Sequence, residues 1–380
     1  MRGLTRRQAG LFALAAGLAP SLAPGLARAD AASALIFAEG GAAAERPEDT
    51  RSGYDLAINE GADFIQANLV PTKEGVLIAR RDNELSATTD VASRPEFAAR
   101  RTAKTIDGQL VTGWFSEDFT LAEVKTLFCR ERLPTLRPQN AKFDGKEPVL
   151  TIQEVLAIAR DGCSRTGRVI GVAPRLIHFS YFAGQGAPLD EQLGNELNTA
   201  GYRFPAAAVW VQAFEPTALK GLARFSRVRR MQVIEADGGP PDGSGASYAQ
   251  MLTADGLAAI RAYADAIAPS QNLVIDPNAA IFPAPTTLVL DAHNAGLSVH
   301  TWTAKAENMF LPKLLQKGDR RAANFGAIHG DLDKLMVSLF AGGVDSLATD
   351  QPAQAVRART EAVALANRGR PQPRSDDDDQ

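Results

Sequence analysis

Cysteine is nearly missing from this chain: two residues, Cys129 and Cys163, occur in 380. That excludes a disulfide framework or a cysteine-rich metal site and leaves room for one disulfide between them. Charge of one sign is also missing, with 41 Lys+Arg against 44 Asp+Glu for a formal charge of −3. No long Lys/Arg stripe breaks that balance, which argues against a nucleic-acid partner held by bulk electrostatics. Self-similarity at a 20 to 50 residue period is lacking, so a solenoid or propeller is excluded. The glycine-containing stretch at 238–247 has no GK[ST] and follows no Walker pattern, and reads as a flexible loop. What the chain does have is 45% hydrophobic and 22% charged residues, enough apolar material for a large core.

The two ends stand apart from the body. Residues 1–29 combine a basic start (Arg2, Arg6, Arg7), an apolar Ala-rich stretch over 9–19 and small residues at Ala27-Arg28-Ala29, which predicts a secretory signal cleaved before Asp30. Gly17, Pro20 and Pro24 interrupt the apolar stretch, which is shorter than the roughly 20 residues a spanning helix needs. No transmembrane helix is therefore expected in the mature protein. Arg6-Arg7 after Thr5 also fits a twin-arginine signal, the alternative being ordinary export with adjacent arginines. Cleavage removes four arginines and no acid, moving the formal charge from −3 to −7. Residues 367–380 are Pro- and charge-rich without an apolar period, which predicts a disordered acidic tail whose Asp376–Asp379 run is simply solvated.

Between these ends, over 30–366, short apolar runs alternate with helix-compatible stretches. Strands are expected at 35–38, 63–68, 168–173, 208–213, 230–235, 272–275, 297–302 and 344–348, and helices at 50–61, 151–161, 216–224, 253–265 and 332–341. The runs are mostly continuous rather than alternating, as strands buried on both faces are. Eight strand–helix units predict a TIM (β/α)8 barrel. A doubly wound sheet is the competitor, but no G-x-G-x-x-G follows the first strand. A ninth run, 76–79, is too close to its predecessor for a parallel crossover and should return as an antiparallel hairpin. The connection at about 82–150, with a helix-like 119–128, is too long for a simple loop and predicts an inserted subdomain beside the barrel mouth.

The segments FAEGGAAAERPEDT (37–50), GADFIQANLVPTKEGVLIARRDNELSATTDV (61–91), GVAPRLIHFSYF (171–182), WVQAFEPTALK (210–220), LSVHTWTAKAENMFLP (297–312) and GGVDSLATDQP (342–352) resemble, in order and spacing, the glycerophosphodiester phosphodiesterases, closest to the periplasmic type with a long insertion. The resemblance spans nearly all of 35–355. It implies a TIM barrel that uses a divalent metal, usually calcium, to hydrolyse glycerophosphodiesters of lipid metabolism to an alcohol and glycerol phosphate.

At the reacting positions the chain departs from that pattern. The family's His-Arg-Gly is Glu39-Gly40-Gly41, its second histidine is Arg81 before Asp82, and its Glu-x-Asp metal pair is Gln66 and Asn68. A third metal carboxylate corresponds to Arg175 after Pro174, and the lysine of the same motif to Ile177. Arginine, with a pKa above about 12, cannot shuttle protons at working pH. Calcium prefers several mostly anionic oxygens. Three carboxylates have become two neutral amides and a cation, so no calcium cofactor is expected.

Glu39 and Glu48 remain as a conceivable acid and base. Gln212, Trp302, Lys305 and Asn308 still decorate strand ends near the mouth. Three readings follow. Arg81 and Arg175, with Gln212 and Trp302, hold a phosphate or glycerophosphodiester without cutting it. Alternatively Glu39, Glu48, Arg81 and Arg175 neutralise one another and plug the site. In the third, the two arginines stabilise a phosphorane in a rewired, metal-free diesterase. The leading expectation is a pseudoenzyme acting as a binding or scaffold module, with no protein partner identified. His178, His293, His300 and His329 are spread too widely to form a ligand set and are expected to be structural, as are Trp114 and Trp210.

Replacing Arg6-Arg7 by Lys-Lys should stop export to the periplasm, read by fractionation. Undiminished export would reject the twin-arginine route, and intact residues 1–29 on periplasmic protein would reject cleavage.

Overall fold

The computed structural model describes residues 31–368. The signal, its cleavage point and most of the expected tail lie outside the described residues. Asn367 and Arg368, assigned to the tail from sequence, instead close the helix Pro352–Arg368.

Eleven strands are present among the described residues: β1 (Leu35–Glu39), β2 (Phe64–Pro71), β3 (Leu77–Ala79), β4 (Thr102–Ile106), β5 (Gln109–Gly113), β6 (Gly171–Leu176), β7 (Trp210–Ala213), β8 (Arg229–Ile234), β9 (Ala266–Pro269), β10 (Ser298–Ala304) and β11 (Ser346–Thr349). Eight of them pair in parallel in the order β1-β11-β10-β9-β8-β7-β6-β2, and a β1–β2 pairing closes the ring. This is the expected TIM barrel. β3 returns antiparallel on β2 with Leu69 opposite Ala79, as its five-residue connection required.

One strand is misplaced by the sequence reading. The run 272–275 is not a strand: Gln271–Val274 forms a short helix, and the barrel strand is Ala266–Pro269, AIAP. Two alanines and a proline carry little β propensity, whereas Leu-Val-Ile next door carries much. Burial inside the closed ring decides the strand here, not local preference.

Helix boundaries follow capping chemistry. Thr151 and Glu154 form a capping box at the start of Ile152–Thr166, and Gly167 ends it in the left-handed region at φ 68°. Ile152, Val155, Leu156, Ile158 and Ala159 bury that helix's apolar stripe. In the insertion, the helix-like 119–128 is realised only at Leu121–Val124, again with a capping box, from Thr120 and Glu123. The β4–β5 hairpin projects beside it. Phe97, Trp114, Phe115 and Phe119 are buried there, and Trp114 donates to the Phe97 carbonyl at 2.7 Å.

Strand periodicity sorts the barrel interior into layers. Phe37, Phe64, Ala173, Trp210, Met231, Ala266 and Ala348 form one apolar cluster, with the Phe37 and Phe64 rings stacked at 4.6 Å. His300 is buried against it between Ser298 and Ser346, and burial lowers its pKa to about 4, so it stays neutral. Trp210 is packing, as expected. Two residues further along several of these strands come Glu39, Gln66, Arg175 and Gln212. The apolar layer is thus the floor on which the polar one rests.

Cys129 and Cys163 are both free thiols. Cys129 accepts from the buried Arg80 at 3.1 Å, and Cys163 from the Ile170 amide at 3.2 Å.

Gly41 makes the turn out of β1 at φ 88°, and a Cβ there would sit 2.5 Å from the Gly53 carbonyl carbon. Gly41→Ala should therefore cost roughly 2–4 kcal/mol in denaturant unfolding, from strain and backbone overlap together; a loss under about 0.5 kcal/mol would contradict the packing described.

Candidate functional site at the barrel mouth

Glu39 and Arg175, on strands that both flank β2, point into the barrel and meet. The Arg175 guanidinium lies 3.2 Å from Glu39 Oε1, with both side chains buried. Its Nε and Nη2 donate to Gln212 Oε1 at 3.1 and 2.9 Å, and Gln212 Nε2 donates to Gln66 Oε1 at 3.2 Å. Thr303 donates to the other Glu39 oxygen. The Phe214 and Trp302 rings wall the guanidinium, at 5.5 and 5.2 Å from its carbon, and Trp302 is fixed by its indole N–H donating to the Ala268 carbonyl at 2.8 Å. Glu39, Gln66, Arg175 and Gln212 thus form one continuous chain across the barrel.

Burial alone would raise the Glu39 pKa. Arg175, helped by Arg81 and Lys305, overrides burial and holds the carboxyl below its ordinary range. Glu39 is an anion at neutral pH.

The second cluster involves residues that sequence reasoning did not single out. The plugged-site reading pairs Glu48 with Arg81 or Arg175, but it accepts from Arg132, in the insertion, at 2.9 and 2.7 Å. Arg132 also binds Asp82 at 2.6 Å. Against the pull of burial, Arg132 lowers the Glu48 pKa to about 2. Five residues on, Arg137 donates to Glu307 and Asp350, each at 2.6 Å, and to the Ala43 carbonyl at 2.9 Å, almost wholly buried. Two arginines of the insertion therefore lace four carboxylates around the mouth. Nothing in RERLPTLRPQN marks them locally, because their partners lie 50 to 213 residues away in the chain.

Arg81 follows β3, beside the Asn68–Arg175 register of β2 and β6. It has no hydrogen-bond or ion-pair partner among the described residues. It lines two spaces. One, lined by Glu39, Glu48, Asp49, Asn68, Arg132 and Arg137, measures about 30 Å³, room for two or three waters at about 10–15 Å³ each. The other is an open cleft of about 430 Å³ between the tip of the β4–β5 hairpin and the ends of β6 to β8. The expectation that both arginines are free for an anion is corrected here: Arg175 is internally neutralised and Arg81 alone is available.

At the positions where the resemblance implies metal ligands, Gln66 Oε1 is engaged by Gln212, Asn68 offers an unpartnered Oδ1, and Arg175 offers a cation. That donor set contains no carboxylate. Among the described residues, no group of three or more His, Cys, Asp or Glu converges as metal ligands. The histidines are dispersed. His178 Nδ1 lies 2.6 Å from Asp107, His293 Nε2 lies 2.7 Å from Asp345, and His329 sits beside Glu307. Lys305 stacks on Phe310, and Asn308 is buried, donating to the Lys317 and Phe325 carbonyls.

A sequence model of the Glycerophosphoryl diester phosphodiesterase family matches residues 41–354. The chain belongs to that family. The Arabidopsis thaliana glycerophosphodiester phosphodiesterase GDPD6 is 31% identical over 287 residues, covering 72% of this chain and 75% of that protein. The Haemophilus influenzae glycerophosphodiester phosphodiesterase is 22% identical over 300 residues, covering 72% and 79%. Among solved structures, a glycerophosphodiester phosphodiesterase from Agrobacterium tumefaciens aligns at TM-score 0.53 and 16% identity, covering 85% of this chain and 99% of that one. An Oleispira antarctica phosphodiesterase, solved with its product sn-glycerol-3-phosphate, aligns at TM-score 0.54 and 15% identity, covering 85% and 96%. These neighbours share the barrel.

Two outcomes check the site. Arg175→Ala should cost about 3–5 kcal/mol by stranding a buried carboxylate, and adding Glu39→Gln should recover much of that loss. Asp49, buried behind Glu48 and accepting from Tyr54 at 2.6 Å, has its pKa raised to about 7, chiefly by burial. Its ionisation therefore burdens the folded state above pH 7, and the burden fades as pH falls toward 4. Asp49→Asn should stabilise the protein by roughly 2–4 kcal/mol at pH 8, at about 1.4 kcal/mol per pKa unit, and hardly at all at pH 4. A pH-independent difference would contradict the assignment.

Proposed function

We propose that this family member is an exported pseudoenzyme whose barrel mouth binds a phosphate or phosphodiester group at Arg81 without cleaving it. The observation that carries the reading is the buried Glu39–Arg175 pair, standing where the resemblance places a catalytic histidine and a metal carboxylate.

Hydrolysis needs a proton delivered to the leaving alkoxide by a group titrating near neutrality. Glu39 and Glu48 are both held ionised by arginines, Arg81 cannot release its proton at working pH, and the two mouth carboxyls raised to about 7, Asp49 and Glu131, are buried and engaged by Tyr54 and Asn140. Calcium needs anionic oxygens, and Gln66, Asn68 and Arg175 supply none. The mouth therefore works without the ion, its positive charge built in as a guanidinium. What persists is the capacity to hold an anion: Arg81 makes no hydrogen bond or ion pair among the described residues, is half-buried and lines the open cleft, though Glu39 and Glu48 feel its charge, and a guanidinium binds phosphate by charge-assisted, often bidentate hydrogen bonds. The sn-glycerol-3-phosphate of the Oleispira antarctica protein is the kind of ligand this reading assigns. The amino-terminal signal supports a periplasmic or secreted location.

With glycerophosphocholine and calcium, the protein should release no glycerol phosphate above blank. Glycerol phosphate should raise the melting temperature of the wild type and not of Arg81→Ala. Calcium-dependent hydrolysis would instead support a diesterase with rewired catalytic groups.

A further inference from the structure

The open cleft carries more acid than its role as an anion site requires. Asp82 is neutralised by Arg132, Asp107 lies against His178, and Arg175 is neutralised by Glu39. The lining charges left over are Arg81 on one side and Glu215, Glu235 and Asp237 on the other. Among the described residues none of these three acids makes an ion pair, and the one cation that feels the Glu235 charge, Arg175, is already paired with Glu39. Glu235 and Asp237 follow β8 and are exposed. Glu215 follows β7, is only 3% exposed, and is held by Ser180 alone, through its amide at 3.0 Å and its side chain. A carboxylate so buried is normally matched by a cation, because desolvation is costly.

A second, independent feature lies in the same lobe. Tyr248 lines the cleft and is only 4% exposed, yet its hydroxyl has no hydrogen-bond partner among the described residues. The hydroxyl is not itself sealed from solvent, so it opens to the cleft. The charges acting most strongly on Tyr248, once burial is counted, are Glu235, Glu215, Asp242 and Asp107, all acidic. Glu215 likewise has its pKa raised by burial first and then by Asp107 and Asp242, against the pull of the Ser180 hydrogen bonds. The lobe therefore combines a nearly dry carboxylate, an unused hydroxyl and two open carboxylates, with Phe214 as an apolar wall.

We propose that the lobe formed by Glu215, Glu235, Asp237 and Tyr248 binds a small organic cation bearing primary ammonium groups, of the aliphatic polyamine class. This site goes beyond the anion site at Arg81, which lies on the opposite side of the cleft. A hard divalent ion is the poorer fit. It demands six to eight converging oxygens, and no such carboxylate group is assembled among the described residues. A primary ammonium offers three N–H donors, which spread-out carboxylates and a hydroxyl can each accept. Several acids strung along one cleft favour more than one ammonium on a single flexible chain.

Calorimetric titration of the protein with spermidine at low ionic strength tests this. Saturable one-to-one binding is expected, weakened at least tenfold in Glu235→Gln/Asp237→Asn, whose exposed positions leave the fold intact, and also weakened in Tyr248→Phe. The control Asp255→Asn/Asp333→Asn removes exposed acids elsewhere and should bind as the wild type does. Tetramethylammonium, which has no N–H donor, should bind at least tenfold more weakly. Absence of saturable heat, equal affinity in Glu235→Gln/Asp237→Asn, or equal affinity for tetramethylammonium overturns the proposal. A parallel titration with inorganic phosphate should respond to Arg81→Ala and not to Glu235→Gln/Asp237→Asn, so failure of the anion reading is read separately from failure of this one.

Discussion

A guanidinium inside a closed barrel has to be compensated, and the mouth of this protein is organised around meeting that requirement for Arg175. Glu39 supplies the charge, Gln212 the acceptor oxygen, and Trp302 with Phe214 the walls. Once Glu39 is committed to Arg175 it is unavailable as an acid, and once Gln212 donates to Gln66 one lone pair of the Gln66 amide oxygen is taken. The chemistry of the site follows from this one pair. Such a pair adds little net stability over a well-packed apolar substitute, but removing one member is costly. The replaced positions are therefore coupled: a reversion at Glu39 or Arg175 alone is penalised, which gives a physical reason for the substitutions to stand together.

The insertion extends the same logic outward. Arg132 and Arg137 reach from it to Glu48, Asp82, Glu307 and Asp350, so carboxylates from well-separated parts of the chain are neutralised by one short segment. The space beneath measures about 30 Å³, far below the few hundred Å³ of an ordinary ligand pocket. The larger open space is the neighbouring cleft, of about 430 Å³. There Arg81 and the Glu215–Tyr248 lobe face the same open volume from opposite sides.

Sequence revealed the barrel because burial on both faces writes continuous apolar runs, and it revealed the β2–β3 hairpin because a five-residue link admits nothing else. It failed at β9, where Ala-Ile-Ala-Pro is a strand by virtue of its place in the ring while the more β-prone Leu-Val-Ile beside it is not. Within the site, Glu39, Arg81, Gln66, Asn68 and Arg175 could be named from the sequence because a motif at fixed spacing exposes every departure from the resemblance. Their pairing was not. Whether Glu48 meets Arg81 or an arginine more than eighty residues away is a tertiary fact, and Arg132, Arg137, Glu215 and Tyr248 carry no local signature. The assignment of Glu39 to Arg175 could be posed from sequence as one alternative, and only the geometry selects it.

Calorimetric titration of calcium into the metal-stripped protein tests most directly whether an internal guanidinium has taken the place of the ion. The account predicts no saturable heat, since Gln66, Asn68 and Arg175 leave no anionic cage at the mouth. A single tight calcium site, lost on Gln66→Ala, would contradict it.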